Sequence, residues 1–275
     1  MNKITEINAK LSKISVFSNN SVKTIALISM IIDHFSKIVL FAWLGQSVFP
    51  LLESGDITHE SYEKIDTLVR FTLPSIGAVA FPLFAFLLVE GFAHTRNRKK
   101  YFALMFLFAF ISELPFDLAF FGEVSKMTGT FPFHWKYQNV FFTLSLGILV
   151  LQIIEKLQDI PSLSNKKFNL YISTIACGGI IALCAEFMKT DYGAMGVCYI
   201  VAFYILRENR LLQGLSVLVV YSLFTGDQPT VSQLLSITVI LLYNNQHGKL
   251  NLKYLFYLFY PVHLWVFYGI SQLFY

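Results

Sequence analysis

The chain has 275 residues, of which 55% are hydrophobic and 16% aromatic while only 14% are charged, and its mean hydropathy is +0.59. A soluble domain keeps nearer a quarter of its residues charged, so this composition excludes an ordinary water-soluble enzyme and indicates a chain that crosses the bilayer repeatedly. The formal net charge of +4 is small, no nucleic-acid partner is expected, and the placement of the charges tells more than their sum.

Residues 1–22 are expected to form a cytoplasmic amphipathic segment ahead of a single transmembrane domain over 23–275. Ile4, Ile7, Leu11 and Ile14 recur at helical spacing with Lys3, Lys10 and Lys13 elsewhere on the wheel, as a helix lying on the inner membrane surface requires. The stretch lacks the continuous apolar core and small-residue cleavage site of a secretory signal. Ser18–Ser21, "SNNS", then supplies turn and cap chemistry.

Apolar runs follow at Lys23–Leu44, Phe71–Ala93, Tyr101–Phe121, Asn139–Leu157, Phe168–Phe187, Tyr192–Leu206, Leu211–Phe224, Val231–Tyr243 and Tyr254–Phe274. Several approach the ~20 residues that a spanning helix needs, which predicts an all-α polytopic bundle of about nine transmembrane helices, with eight or ten also open. Lys and Arg should gather on the cytoplasmic side. One set of alternating connections holds Lys3, Lys10, Lys13 and Lys23, then Arg96, Arg98, Lys99 and Lys100, then Lys156, Lys166 and Lys167, then Arg207 and Arg210, then Lys249 and Lys253. The other set holds Lys64, Arg70, Lys126, Lys136 and Lys189. The N-terminus is therefore expected in the cytoplasm. The longest outer connection, from Gly45 to Arg70, carries Glu53, Asp56, Glu60, Glu63 and Asp66 and reads as a solvated amphipathic loop.

An ionisable group at membrane depth costs a few kcal/mol, so each one is either a site facing a cavity or a satisfied packing contact. Lys23 and His34 stand eleven residues apart on nearly one helical face, with about 16 Å of rise between them. Together they suit a ligand whose anionic end stays at the cytoplasmic mouth while its reactive end reaches an imidazole able to take and return a proton. Asp33 points about 100° away and is given a structural role first. Glu90 and His94 are an i,i+4 pair just before Arg96, Arg98, Lys99 and Lys100, a basic cluster that is either a stop-transfer turn or a phosphate clamp.

In the third run, Glu113 and Asp117 straddle Pro115 and read as a cavity wall, with Glu113 at the depth of His34 and placed to hold its ring. Gln138 and Asn139 open the fourth run as helix glue or as donors to a carbonyl oxygen gaining negative charge. Asp191 and Tyr192 stand at an outer entrance, and His263 follows Pro261 at mid-depth in the last run. Cys177, Cys184 and Cys198 have no metal-ligand or disulfide spacing, and no metal is expected.

"MIIDH", "AFPLFAFLLVEGFAHTRNRKKY", "SELPFD", "QNVFFTL", "DYGAMGV" and "YPVHL" occur in order from Lys23 to Leu264, and this combination resembles the TraX-type membrane proteins, named for an enzyme that N-acetylates conjugative pilin. That family is similar to a wider set of membrane acyltransferases, including sugar O-acyltransferases and the lysosomal heparan-glucosaminide N-acetyltransferase. In that set a basic residue, ten intervening residues and a histidine mark the first span, a pattern that Lys23 and His34 reproduce here.

The resemblance implies transfer of an acetyl or other short acyl group from cytoplasmic acyl-CoA, acetyl-CoA above all, with His34 as general base and Lys23 on the CoA side. Glu113 or Asp33 would hold the ring, Asn139 or His263 would steady the oxyanion, and Glu90, His94, Arg96, Arg98, Lys99 and Lys100 would meet the cofactor. Asp117, Gln138, Asp191 and Tyr192 would face the acceptor, which is a peptide or protein amine or a glycan or lipid-linked sugar hydroxyl. A bacterial cytoplasmic membrane is the expected address, membrane lipids the surroundings, and a homo-oligomer is left open. Two rivals stand beside this reading: a proton-coupled transporter using the buried Asp, Glu and His groups, and a non-catalytic membrane partner.

Overall fold

A computed structural model describes residues 3–134, 136–246, 248 and 253–275 of the chain. Among these it is helical throughout, with no strand beyond two isolated bridges. Helix α1 spans Lys3–Ile14 and α2 spans Asn19–His34, opened by Ser18, whose hydroxyl accepts the Ser21 amide at 3.2 Å. The helix does not stop at His34. Two π-helical stretches, Phe35–Leu40 and Leu44–Val48, separated by the single turn α3 (Phe41–Trp43), carry it on to α4 (Phe49–Glu53).

The return arm runs through α5 (His59–Thr67), a third π stretch at Leu68–Thr72, α6 (Leu73–Gly77) and α7 (Ala80–His94). Then follow α8 (Arg98–Thr128), α9 (Val140–Gln158), α10 (Pro161–Ser164), α11 (Lys167–Phe187), α12 (Gly193–Ile205), α13 (Arg210–Thr225), α14 (Val231–Leu241) and α15 (Lys253–Ser271).

Each apolar run of the sequence falls on a helix. Among the described residues five helices are long and apolar enough to cross a membrane, Asn19–Glu53, His59–His94, Arg98–Thr128, Val140–Gln158 and Phe168–Phe187, and four shorter apolar helices accompany them. The chain is thus an all-α membrane bundle. Helix α7 runs through its middle, buried on every side from Ala80 to Phe92, as expected where both faces of a helix meet protein. It packs against α2, α9, α12 and α14, and the largest enclosed side chains, Phe81, Phe86, Phe92, Tyr199 and Phe203, lie on α7 and α12. Helix α11 lies at the outside, where Phe168, Ile175, Leu183 and Phe187 remain uncovered by protein, a surface suited to lipid.

The segment Gly45–Arg70 corrects the expectation of a loop. It is almost wholly helical, and Leu44, Val48 and Val69 form a small core of their own between the two arms, with Trp43, Ile57, Tyr62 and Ile65 against it. The 35-residue arm Asn19–Glu53 is about 52 Å long, well beyond the ~30 Å of a hydrocarbon core. The hairpin tip, with its exposed Glu53, Asp56, Glu60 and Glu63, therefore stands clear of the bundle.

The starts of α2, α8, α13 and α15 and the ends of α7, α9 and α12 gather at one end, called the basic end below because it carries Lys23, Arg98, Arg207 and Arg210. Lys249, counted among those basic residues in the sequence, lies outside the described residues, as does Trp135. Helix α1 is fastened at this end by Asn8, whose amide donates to Asn209 Oδ1 at 2.9 Å while its Oδ1 accepts the Leu211 amide at 3.1 Å. At the opposite end the turns before α9 and α12 are stitched together, Gln138 N to Lys189 O and Asp191 N to Gln138 O.

Candidate active site

Helix α2 and helix α15 bring two histidines together from opposite ends of the chain. His34 Nδ1 and His263 Nε2 are 2.7 Å apart, with the rings nearly coplanar and both side chains buried. His263 Nδ1 lies 2.8 Å from the carbonyl oxygen of Phe259, one turn back along α15. A carbonyl only accepts, so His263 Nδ1 carries the proton and its Nε2 is a lone pair. That lone pair accepts from His34 Nδ1–H, which leaves the Nε2 of His34 unprotonated. The pair is thus an orienting relay that presents one basic nitrogen, with Phe120 and Tyr260 set edge-on around it at 5.3 and 5.9 Å.

Asp33 stands on the Nε2 side. Its Oδ2 is 3.8 Å from His34 Nε2, beyond hydrogen-bond reach, and both its oxygens are 2.9 Å from Lys37 Nζ. Asp33 is buried against α6 so closely that a Cβ on Gly77 would sit 2.3 Å from the Asp33 Cβ. Lys37 was missed by the sequence reading, although its i,i+4 spacing from Asp33 is the available signal. The Asp33–Lys37 ion pair therefore flanks the free nitrogen of His34.

Glu113 does not hold the His34 ring. Its Oε2 accepts both the backbone amide of Asn139, at 3.2 Å, and the Asn139 side-chain amide, while that amide also donates to Ala109 O at 2.7 Å and Asn139 Oδ1 caps α9 by accepting from Phe141 N. His34 meets α8 at Phe120, about two turns further along. Every hydrogen-bonding group of the Asn139 side chain is engaged in this brace, so it has no donor to spare for an oxyanion. His263 is likewise committed at both nitrogens. Asp117 is buried with its Oδ2 accepting from His134 N at 2.9 Å.

A cavity of about 320 Å³ opens at the basic end and follows one stripe of α2, lined by Asn19, Lys23, Leu27 and Met30. Glu90 and His94 of α7 flank its mouth and Phe256 of α15 lies under Lys23, whose Nζ is 5.1 Å from the ring centre. Its far end reaches Val140, Phe141 and Tyr260. Met30 precedes His34 by one turn on the same face, and Tyr260 touches both histidines, 5.9 Å from His34 and 5.6 Å from His263. The walls between are mostly apolar, with Leu27, Phe84, Leu87, Leu88 and Leu144. From α8 the wall is Tyr101 and Met105, nearer the basic end than Glu113 and Asp117, which line neither this cavity nor the one beside it.

That second cavity, about 400 Å³, is polar and shares Glu90 and His94 with the first. Arg98 reaches it from α8, where it pairs with Glu155 at 2.6 Å. Arg96, Lys99 and Lys100 are exposed and line neither cavity. At the opposite end Tyr192 stacks on Phe81 with 3.7 Å between ring centres, and the Asp191 carbonyl accepts from the Thr143 hydroxyl. Cys177, Cys184 and Cys198 are free thiols, and no group of three metal-ligating side chains occurs among the described residues.

The family model described as TraX protein matches residues 18–271. The chain is also 27% identical over 260 residues to a probable fimbrial assembly protein FimC, serogroup H1, of Dichelobacter nodosus, an alignment covering 90% of this chain and 93% of that protein. No solved structure matches it. With its family match running from the cap of α2 to the last turn of α15, the chain belongs to the TraX family.

Proposed function

We propose that the protein is a membrane-embedded acyltransferase that takes an acetyl or other short acyl group from acyl-CoA on the cytoplasmic side and passes it to a hydroxyl or amine acceptor. The observation that carries this reading is the apolar cavity that starts at Lys23 and ends against Tyr260, whose ring centre is 5.9 Å from that of His34, the histidine of the pair with a nitrogen left free to act as a base. Its polar mouth and apolar bore match a donor with a charged head and a long thioester arm.

The acceptor approaches His34 Nε2 from the Asp33 and Lys37 side. Nε2 takes its proton as the acceptor oxygen or nitrogen attacks the thioester carbon, the tetrahedral intermediate collapses with cleavage of the carbon–sulfur bond, and the CoA thiolate leaves and is protonated. His263 fixes the tautomer, and Asp33 stabilises the imidazolium. Lys23, Glu90 and His94 shape the donor's entry. The basic end faces the cytoplasm of a bacterial cell in this proposal, following the charge asymmetry of the connections. The name of the Dichelobacter relative associates that protein with fimbrial assembly, and a surface-filament subunit is accordingly the first acceptor to try.

Membrane vesicles holding the protein, given radiolabelled acetyl-CoA and extracts of the producing cell, test this directly. Label should pass to an acceptor with the wild type and not with His34→Ala, while Lys23→Ala should raise the donor concentration needed for half-maximal rate. Label transfer that survives His34→Ala would overturn the mechanism. The hydrogen-bonded histidines beside Asp33 and Lys37 are also what a proton relay contains, which keeps a proton-coupled transporter as the second reading. Substrate flux in proteoliposomes without any acyl donor would favour it.

A further inference from the structure

The polar cavity at the basic end has a composition that the connections' charge asymmetry alone does not explain. Three guanidinium groups converge on it from three parts of the chain: Arg98 at the start of α8, Arg207 just after α12 and Arg210 at the start of α13. Each is laid against an aromatic ring, Arg98 over Phe92 at 5.0 Å, Arg207 over Tyr204 at 4.4 Å and Arg210 over Phe86 and Tyr243 at 5.0 Å. A guanidinium held flat in this way presents its N–H fork in a fixed direction, which is the form in which arginine binds phosphate oxygens.

Their partners are unequal. Arg98 has Glu155 at 2.6 Å, and Arg210 is held by Gln213 at 2.8 Å, Asn245 at 2.6 Å and Glu90 at 3.9 Å. Arg207 meets the neutral Tyr204 side chain, and the one acid paired with it is its neighbour Glu208, at 3.5 Å, a side chain on the cavity rim that is 91% exposed. Each charge thus has an acid, but those of Arg98 and Arg210 are held within the fold while that of Arg207 is solvated and is the one an incoming anion displaces most readily. The Nε of Arg98 is buried without a partner among the described residues.

We infer that this polar compartment receives the phosphorylated nucleotide end of the donor, with Arg207 as the principal phosphate contact and Arg98 as the second. The inference rests on the acyl-CoA reading above and specifies where the donor's head lies. Because the two cavities share Glu90 and His94, a phosphate group beside Arg207 leaves the pantetheine arm free to pass that boundary and run along Lys23, Leu27 and Met30 toward Tyr260. The exposed run Arg96, Lys99 and Lys100 then contributes only long-range attraction, screened by salt.

Calorimetric titration of the purified full-length protein with acetyl-CoA and with S-acetylpantetheine, which lacks the nucleotide, tests the assignment. Arg207→Gln should weaken acetyl-CoA binding by roughly tenfold, the scale of one lost charge-assisted hydrogen bond, and leave S-acetylpantetheine binding as in the wild type. Arg207→Lys should recover only part of the loss, because an ammonium lacks the fork. Equal acetyl-CoA binding by wild type and Arg207→Gln, with weakening instead in an Arg96→Gln, Lys99→Gln, Lys100→Gln triple variant, would overturn the assignment and leave the acyl-CoA reading standing. No binding of either compound by folded wild type would overturn both.

Discussion

Two buried polar nodes lie in the same bundle and differ in what they leave unfinished. At the Glu113 node, between α8 and α9, the carboxylate, the Asn139 amide and the Ala109 carbonyl satisfy one another and cap α9. At the His34 node, between α2 and α15, the chain of hydrogen bonds runs from Phe259 through His263 to His34 and ends on the Nε2 lone pair, which accepts from no donor among the described residues. Polar groups within a membrane protein are usually expected to find partners, so a closed network reads as architecture and an open one as chemistry. The two nodes are built from different side chains, and what separates their roles is whether the hydrogen-bond chain closes on itself.

The comparison is broken most decisively at its open end. His34→Ala should lower acyl transfer by at least about a thousandfold, the upper part of the range for a positioned general base, with the variant still folded and still binding acetyl-CoA. His263→Phe keeps an aromatic ring against Phe267 but removes the acceptor that fixes the His34 tautomer, and turnover should fall roughly a hundredfold with little change in the donor's half-saturation constant. A loss of donor affinity equal to the loss of rate would show instead that His263 shapes the cavity.

Gly77→Ala probes the backing of Asp33. The new methyl would press on the Asp33 Cβ and backbone, which cannot swing aside, so thermal stability in detergent should drop by about 1–3 kcal/mol and turnover should fall with it. At the closed node the expected effects are smallest. Glu113→Gln keeps an oxygen for the Asn139 amides, and its turnover should stay within about threefold of wild type, whereas Glu113→Ala strands those amides and should cost roughly 1–3 kcal/mol of stability. A large, selective rate loss in Glu113→Gln would return Glu113 to the chemistry.

Much of this architecture was legible in the sequence because hydropathy at membrane depth is a strong signal. The runs from Lys23 to Phe274 all fall on helices, and Lys23 lines the apolar cavity with Leu27 and Met30, a stripe that stops one turn short of His34. What was not legible depends on contacts across the chain. Gly45–Arg70 reads as a loop because its five acids and Pro50 dilute the apolar pattern, yet π turns and a core of Leu44, Val48 and Val69 keep both arms helical. Depth counting puts Glu113 level with His34, but the histidine meets α8 about two turns further along, at Phe120, and Glu113 turns toward α9, neither of which one helix read alone can show. Lys37, Arg207 and Arg210 are legible in the sequence only as charges, because a charge count sets a side of the membrane and not the acid, ring or cavity that each side chain meets.

The central claim is that the apolar cavity on α2 delivers a thioester to His34. Acetyl-CoA titration of the purified wild type beside Met30→Trp and His34→Ala tests it most directly, because Met30 lines the cavity one turn short of the histidine. The account predicts saturable binding by wild type and His34→Ala and its loss in a folded Met30→Trp variant, whose indole would fill the bore. Undiminished binding by Met30→Trp, or none by the wild type, would contradict it.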